Sequence, residues 1–258
     1  MADPRKIKLV LAYDGTRYHG WQFQKNGLSI QAVLEEKISV MTREQVKVIG
    51  SGRTDAGVHA LGQVCHFETG ARLEPDEFLK GLNSLLPADI LVRRAEDVSP
   101  AFHARYSAKS KVYEYRILNR PEPDVFLRHY VWHISRPLDL KALARCLPLV
   151  QGEHDFTSFR SSGSNNQNPV RHILRSELRG PEDGLIRLVF EANGFLRHMV
   201  RSMSGTLVDV GTGKTSVEGF LDILRARDRQ KAGLKAPAGG LFLVRVVYEG
   251  DGQAPAAY

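Results

Sequence analysis

The sequence predicts an α+β fold of two ferredoxin-like halves, whose antiparallel sheets join side by side and leave a cleft between them. Segments with apolar residues at every second position are typical of strands, and segments with helical spacing alternate with them. From Lys6 to Val98 the order is strand, helix, strand, strand, helix, strand, which is the ferredoxin-like order. The second half of the chain repeats this order with insertions and an extra helix.

The elements of the first half are predicted from local signals at their ends. Ser29 is placed to cap a helix with an apolar stripe, and Pro75 suits the first turn of another helix. The predicted elements, in order, are a strand over 6–13, a helix after Ser29, strands over 46–49 and 63–68, a helix from Pro75 and a strand over 89–98.

The second half is predicted to follow a connection at 103–111, which divides the chain into residues 1–105 and residues 106–258. The polar stretch Ser161–Asn168 has no apolar anchor and is predicted to be a mobile loop. The predicted elements are a strand over 112–118, a helix from Asp139, paired strands over 170–178 and 185–192, a helix over 196–210, a helix after Ser216 and a strand over 241–248.

Composition limits the class of protein and the kind of partner. The chain has 258 residues with 42% hydrophobic content, which suits a globular core. Its formal net charge of +7 favours a polyanionic partner, nucleic acid more than membrane. No run approaches the roughly 18 apolar residues that a membrane helix needs, so no membrane partner is expected.

The two cysteines, Cys65 and Cys146, lie far apart in the chain. Their spacing fits neither a disulfide framework nor a zinc site. The N-terminal residues show no apolar segment for export. These features together predict a cytoplasmic protein with reduced thiols.

A glycine-rich loop, Gly50–Ala60, is the strongest candidate for a functional site. It lies between two predicted strands and places Arg53 two residues before Asp55. Glycines allow tight turns and close approach to a ligand, so the carboxylate of Asp55 could be presented for chemistry. The alternative is a hairpin loop whose aspartate only bonds nearby backbone amides. The spacing alone leaves both interpretations open.

The run Gly52–Ala60 is similar to the catalytic loop of the tRNA pseudouridine synthase A family. The resemblance implies an enzyme that isomerises uridine to pseudouridine in tRNA, with Asp55 as its essential aspartate. It also implies the same fold of two halves, the anticodon stem-loop uridines 38, 39 and 40 as targets, and a homodimer in which one tRNA spans both subunits.

Three further segments carry the resemblance. Asn193–Arg201 is similar to a family motif and implies that Arg201 lies beside the catalytic aspartate; the alternative is that Arg197 and Arg201, one helical turn apart, are both solvated. Lys111–Tyr115 implies an active-site tyrosine at Tyr113, which could instead be a core residue. The closing segment, residues 236–243, implies that Leu241 or Leu243 forms a wall of the base pocket.

The implied reaction breaks the N1–C1′ bond, rotates the uracil and rejoins it through C5. Because the bonds are exchanged within one nucleotide, no cofactor is expected. Asp55 would attack the sugar, attack the base or remove a sugar proton, and the sequence leaves these three routes open. The target base must leave its stack, and Arg53 is the candidate to fill the vacated space.

Other functions are weaker fits to the sequence. A non-catalytic RNA-binding protein would suit the positive charge, but the glycine-containing motif with adjacent exposed aromatics is missing. A glycosidase would need a second carboxylate beside Asp55. Gly211–Thr215 resembles the end of a phosphate-binding loop, but Val208 stands where that loop needs glycine, so a helix C-terminus is predicted. His129 and His133 have no acidic or cysteine partner at metal-ligand spacing.

Overall fold

The computed structural model describes residues 5–161 and 168–251. They form two compact units. The first contains the described residues up to Lys109 and those from Leu243 onward, and the second contains those from Ser110 to Phe242. Each unit combines helices with a mainly antiparallel sheet, so the predicted α+β class with two halves is confirmed. The side-by-side arrangement, the cleft and the division at residue 105 stay predictions.

The first unit has the strand order of a ferredoxin-like half. Its elements are β1 (Arg5–Tyr13), α1 (Ile30–Thr42), β2 (Ile49–Gly50), β3 (His59–Thr69), α2 (Pro75–Leu85) and β4 (Ile90–Val98). Hydrogen bonding gives the order β4-β1-β3, with β2 also paired to β3, and the pairs β1–β4, β1–β3 and β2–β3 are antiparallel. The two-residue period correctly predicts the buried face of β1, because Ile7, Leu9 and Leu11 are fully buried.

Both helices of the first unit begin at the residues that the sequence predicts. The Ser29 hydroxyl accepts a hydrogen bond from the Ala32 N–H at 3.3 Å, and Glu74 and Glu77 form a capping box around Pro75. The helices pack closely, because a Cβ on Gly81 of α2 would lie 2.4 Å from the Met41 methyl group. Their apolar faces thus form one core with the sheet.

The second unit has a larger set of elements. They are β5 (Ser110–Asn119), β6 (Trp132–Ile134), α3 (Leu140–Cys146), β7 (Gly152–Asp155), β8 (Val170–Glu182), β9 (Leu185–Ala192), α4 (Met199–Gly211) and α5 (Val217–Ala226). The strand order is β5-β9-β8-β7, and β6 is parallel to β5. Asp139 and Ser216 cap α3 and α5 as predicted. The last strand, β10 (Leu241–Val247), begins in this unit and enters the first unit at Leu243.

The predicted strand over 46–49 is wrong in its bounds. The residues that pair with β3 are Ile49 and Gly50. At Val48 the backbone N–H donates to the Glu35 carboxylate at 2.9 Å, and the carbonyl accepts from the Gln31 amide at 3.2 Å. Two side chains of α1 therefore use the backbone groups that a strand would pair, and the strand starts at Ile49, three residues later than predicted.

The predicted helix over 196–210 also begins later, at Met199. His198 has φ of 63°, in the left-handed region, so the helix cannot extend back through it. Its C-terminal end agrees with the prediction: α4 stops at Gly211, and Gly213 has a positive φ of 76°. The segment Gly211–Thr215 is thus a helix C-terminus, as predicted.

Two strands, β6 and β7, are not predicted by the sequence. They have three and four residues, and their side chains are half-buried or exposed, so neither shows a two-residue period. Residues 162–167 of the predicted mobile loop lie outside the described residues. In the described part of the chain, no helix combines the length and the apolar character needed to cross a membrane.

A buried histidine fixes the segment that follows β4. His66 of β3 is 2% exposed, and its Nδ1 accepts the N–H of Ala104 at 3.1 Å. The Tyr248 hydroxyl donates to the Ala104 carbonyl at 2.6 Å. Burial lowers the pKa of His66 to about 4, and the charges of His103 and Lys6 act in the same direction. The neutral imidazole is therefore part of the folded structure.

Acidification is expected to destabilise the protein through His66. The unfolded imidazole takes up a proton near pH 6.5 and the folded one only near pH 4, so stability is lost as the pH falls through this window. Between pH 7.5 and 5 the expected loss is about 2 kcal/mol. Urea unfolding at both pH values measures it. His66→Gln retains an acceptor for Ala104 but does not titrate, so equal pH dependence in both proteins would contradict the assignment.

Candidate active site

The base of the glycine-rich loop is fixed on β3 by a buried glutamine. Gln63 is fully buried, its Oε1 accepts the Ser51 hydroxyl at 2.7 Å, and its Nε2 donates to the Gly52 carbonyl at 3.0 Å. The Ser51 N–H also donates to the Val64 carbonyl at 2.7 Å. The chain therefore enters the loop with a set direction.

The middle of the loop is held by Thr54. Its carbonyl accepts the N–H of Trp21 at 3.1 Å, and its hydroxyl shares a buried hydrogen bond of 2.8 Å with Tyr13, the last residue of β1. Gly20 has φ of +86°, and a Cβ there would lie 2.4 Å from the Thr54 carbonyl oxygen. Only glycine allows this approach, so the connection between β1 and α1 packs directly on the loop.

The far side of the loop is fixed in the same way. A Cβ on Gly15 would lie 2.0 Å from the Val58 carbonyl oxygen, and the Gly57 N–H donates to the Tyr18 carbonyl at 3.3 Å. The Val58 N–H donates to the Asp55 carbonyl at 3.1 Å, which closes a turn. Asp55 thus lies at the start of a tight turn, and its side chain is half-buried.

Arg53 lies two residues before Asp55 and is exposed. Its Nε donates to the side-chain oxygen of Gln22 at 3.1 Å. Gln22 is not predicted as a site residue from the sequence. The only local signal is its position beside Trp21, which is 2% exposed and covers Gly50.

In the second unit, Arg201 is a buried residue on the first turn of α4. It is 8% exposed, its Nε donates to the Ala236 carbonyl at 2.8 Å, and its own carbonyl accepts the Ala236 N–H at 3.1 Å. Arg197 is exposed and precedes the helix. The alternative of two solvated arginines on one helix is therefore wrong. That Arg201 lies beside Asp55 stays a prediction.

Tyr113 and Tyr115 are both buried residues of β5. Tyr113 is 8% exposed and packs edge-on against the ring of Phe195, with centroids 5.1 Å apart. Tyr115 is fully buried and donates its hydroxyl to the Pro237 carbonyl at 2.9 Å. Burial raises the pKa of Tyr115, and the charge of Arg201 opposes that rise. Arg201 and Tyr115 therefore both contact the segment at 236–237.

Leu241 lies four residues after Pro237, at the start of β10, and is 6% exposed. A Cβ on the preceding Gly240 would lie 2.8 Å from the Tyr115 ring, so the chain must pass close to β5 there. Among the described residues, no group of three His, Cys, Asp or Glu side chains could hold a metal ion.

Comparison with known proteins gives the family. A family model described as tRNA pseudouridine synthase matches residues 9–107 and 148–249. The match includes Asp55, Arg201 and Leu241, whereas Tyr113 lies in the unmatched interval. The chain belongs to the tRNA pseudouridine synthase family.

Individual relatives agree over almost their whole length. The chain is 46% identical over 244 residues to tRNA pseudouridine synthase A of Thermoanaerobacter sp. (strain X514), covering 95% of this chain and 100% of the relative. It is 47% identical over 250 residues to the tRNA pseudouridine synthase A of Moorella thermoacetica, covering 94% and 99%. The family resemblance found in the motifs is therefore confirmed.

Gly20→Ala is expected to destabilise the protein more than Gly213→Ala. Both glycines have positive φ, which costs an alanine about 1 kcal/mol. A Cβ meets nothing within 4 Å at Gly213 but meets the Thr54 carbonyl at Gly20, so Gly20→Ala should lose roughly 2 kcal/mol or more. Urea unfolding of both variants measures the difference. Equal losses would show that the loop has room to move away.

Proposed function

We propose that the protein isomerises uridine to pseudouridine in the anticodon stem-loop of tRNA, at positions 38, 39 and 40. The observation that carries the proposal is the loop around Asp55, which is held by hydrogen bonds to Tyr13 and Trp21, in a chain of the tRNA pseudouridine synthase family. The relatives' names supply the tRNA, and the motif resemblance supplies the anticodon positions.

In this reaction the bond between N1 and C1′ breaks, the uracil turns, and a bond forms between C5 and C1′. The proton on C5 leaves and N1 gains one, so atoms and electrons balance within the nucleotide and no cofactor is required. Asp55 supplies an anionic oxygen that attacks the sugar, attacks the base or removes a sugar proton. A rigid loop suits each of these roles because it holds the oxygen in place before the substrate arrives.

Arg53 is the residue proposed to occupy the space left by the flipped base. Turning a base out of its stack costs a few kcal/mol, and a side chain that fills the gap offsets part of this cost. Arg53 is exposed, and it shares the loop with Asp55. A guanidinium can stack on the neighbouring bases and bond to phosphate.

Three residues of the second unit are proposed to complete the site. Arg201 would favour the ionised state of the Asp55 carboxyl, because a nearby guanidinium stabilises a carboxylate. Tyr113 would stack on the uracil or bond to it through its hydroxyl. Leu241 would form a wall of the base pocket. The burial of all three residues on neighbouring segments supports these roles.

The expected setting is the cytoplasm, where tRNA is the polyanionic partner. The net charge of +7 supports tRNA binding, and both cysteines are buried and unbridged, which fits a reducing compartment. A homodimer with one tRNA spanning both subunits is proposed from the family resemblance.

Asp55→Asn is expected to abolish pseudouridine formation while the protein still folds and binds tRNA. The amide keeps the size of the side chain but removes its charge and its nucleophilic oxygen. Pseudouridine is mapped chemically on unmodified tRNA, beside thermal unfolding and tRNA binding. Asp222→Asn removes one charge from an exposed position on α5 and is the matched control.

The outcomes separate the possible functions. A folded Asp55→Asn protein that retains substantial activity would remove Asp55 from the mechanism. Wild-type protein that binds tRNA without forming pseudouridine would favour a non-catalytic RNA-binding protein. Arg201→Gln removes the positive charge, and activity equal to wild type would contradict the proposed role of Arg201.

The protein is expected to be a dimer in solution. Light scattering should give about twice the chain mass at micromolar concentrations, with and without tRNA. A monomer mass across that range would contradict the proposal that one tRNA spans two subunits.

A further inference from the structure

We propose that Gln22 is a positioning residue that presets the Arg53 side chain, and that its own orientation is fixed by a chain of hydrogen bonds from Gln31 and Glu35. The inference rests on the proposed function, because it assigns Arg53 a task during base flipping. All of these residues lie in the first unit.

The chain of hydrogen bonds begins inside the unit, at Gln31 of α1. Gln31 is 6% exposed, and its Nε2 donates to the Glu35 carboxylate at 2.8 Å and to the Val48 carbonyl at 3.2 Å. Both partners are acceptors, so the NH₂ group of Gln31 must face them. Glu35 is fixed in turn because its Oε1 also accepts the Val48 N–H at 2.9 Å. The orientation of the Gln31 amide is therefore determined by its surroundings.

This orientation points the oxygen of Gln31 toward two donors. Its Oε1 accepts the Nε2 of Gln22 at 2.7 Å and the backbone N–H of Phe23 at 3.0 Å. The amide of Gln22 is thus oriented as well, with its NH₂ group toward Gln31. Its remaining polar atom, Oε1, accepts the Nε of Arg53 at 3.1 Å. Each amide along this chain donates on one side and accepts on the other.

The consequence concerns the freedom of Arg53. A long exposed arginine loses rotamer entropy when it is ordered. The bond from Gln22 restricts the side chain before RNA arrives, so less ordering remains for the flipping step. Because this hydrogen bond uses Nε, the N–H donors of the two terminal NH₂ groups can bond to RNA.

Gln22 has a second possible role, as a simple brace of the segment between β1 and α1. That segment is already held by the Trp21 N–H on Thr54 and by the Ile30 N–H on Gly20. The Phe23 N–H bonds Gln31 without the Gln22 side chain. A brace would affect every substrate equally, whereas positioning of Arg53 should affect only substrates whose base must be displaced.

The test compares Gln22→Leu with wild type on two RNAs, one with the target uridine paired in a stem and one with it left unpaired. On the paired target kcat is expected to fall by about tenfold, the size of one charge-assisted hydrogen bond, with KM nearly unchanged. On the unpaired target the fall should stay within about twofold. Leucine keeps the bulk of the side chain but cannot orient Arg53.

Two further variants make the test specific. Gln24→Leu removes a neighbouring amide that donates to the His19 carbonyl at 2.8 Å, and this variant should match wild type on both RNAs. The double variant Gln22→Leu with Arg53→Leu should be no slower than Arg53→Leu alone, because both changes remove the same function.

Additive losses in the double variant, or an equal loss of rate on both RNAs, would overturn the positioning role and leave the proposed isomerase intact. Wild-type protein inactive on both RNAs would overturn the proposed function and this inference with it. A loss confined to the paired target, absent in Gln24→Leu and not additive with Arg53→Leu, would establish the role of Gln22.

Discussion

The contact between Thr54 and the segment before α1 is the constraint on which the candidate site depends. It joins a loop at residue 54 to Tyr13 at the end of β1 and to Trp21, through one side-chain and one backbone hydrogen bond. The approach is possible because Gly20 has no Cβ. Since Tyr13 belongs to the sheet, the position of Asp55 follows from the register of β1 on β3, and the loop that carries Asp55 is anchored to the sheet of its unit.

The second unit meets a different requirement, which is to keep a charge in a buried place. A buried guanidinium is costly unless its donors find partners. Arg201 satisfies part of this need through the Ala236 carbonyl, and the same segment accepts the Tyr115 hydroxyl at Pro237. The segment before β10 therefore accepts side-chain hydrogen bonds from both β5 and α4. Backbone carbonyls held in place by packing supply hydrogen-bond acceptors of this kind.

Local signals explain why much of the fold could be predicted. Cap residues such as Ser29 and Ser216 act on the next turn of chain, so their effect is contained in a few adjacent residues. The alternation in β1 needs only one buried face. The missed strands β6 and β7 are short, and the late start of α4 depends on the left-handed backbone of His198, which no apolar period records.

The sequence by itself determined the order of the longer helices and strands, the α+β class and the location of the loop around Asp55, because each is written in contiguous residues. Only the tertiary structure decided that Arg201 is buried and that Gln22 holds Arg53. These depend on partners distant in the chain: Arg201 bonds Ala236, and Arg53 bonds Gln22, which lies 31 positions before it. Such pairings come from the path of the folded backbone, which brings polar groups together without leaving a periodic pattern in the sequence.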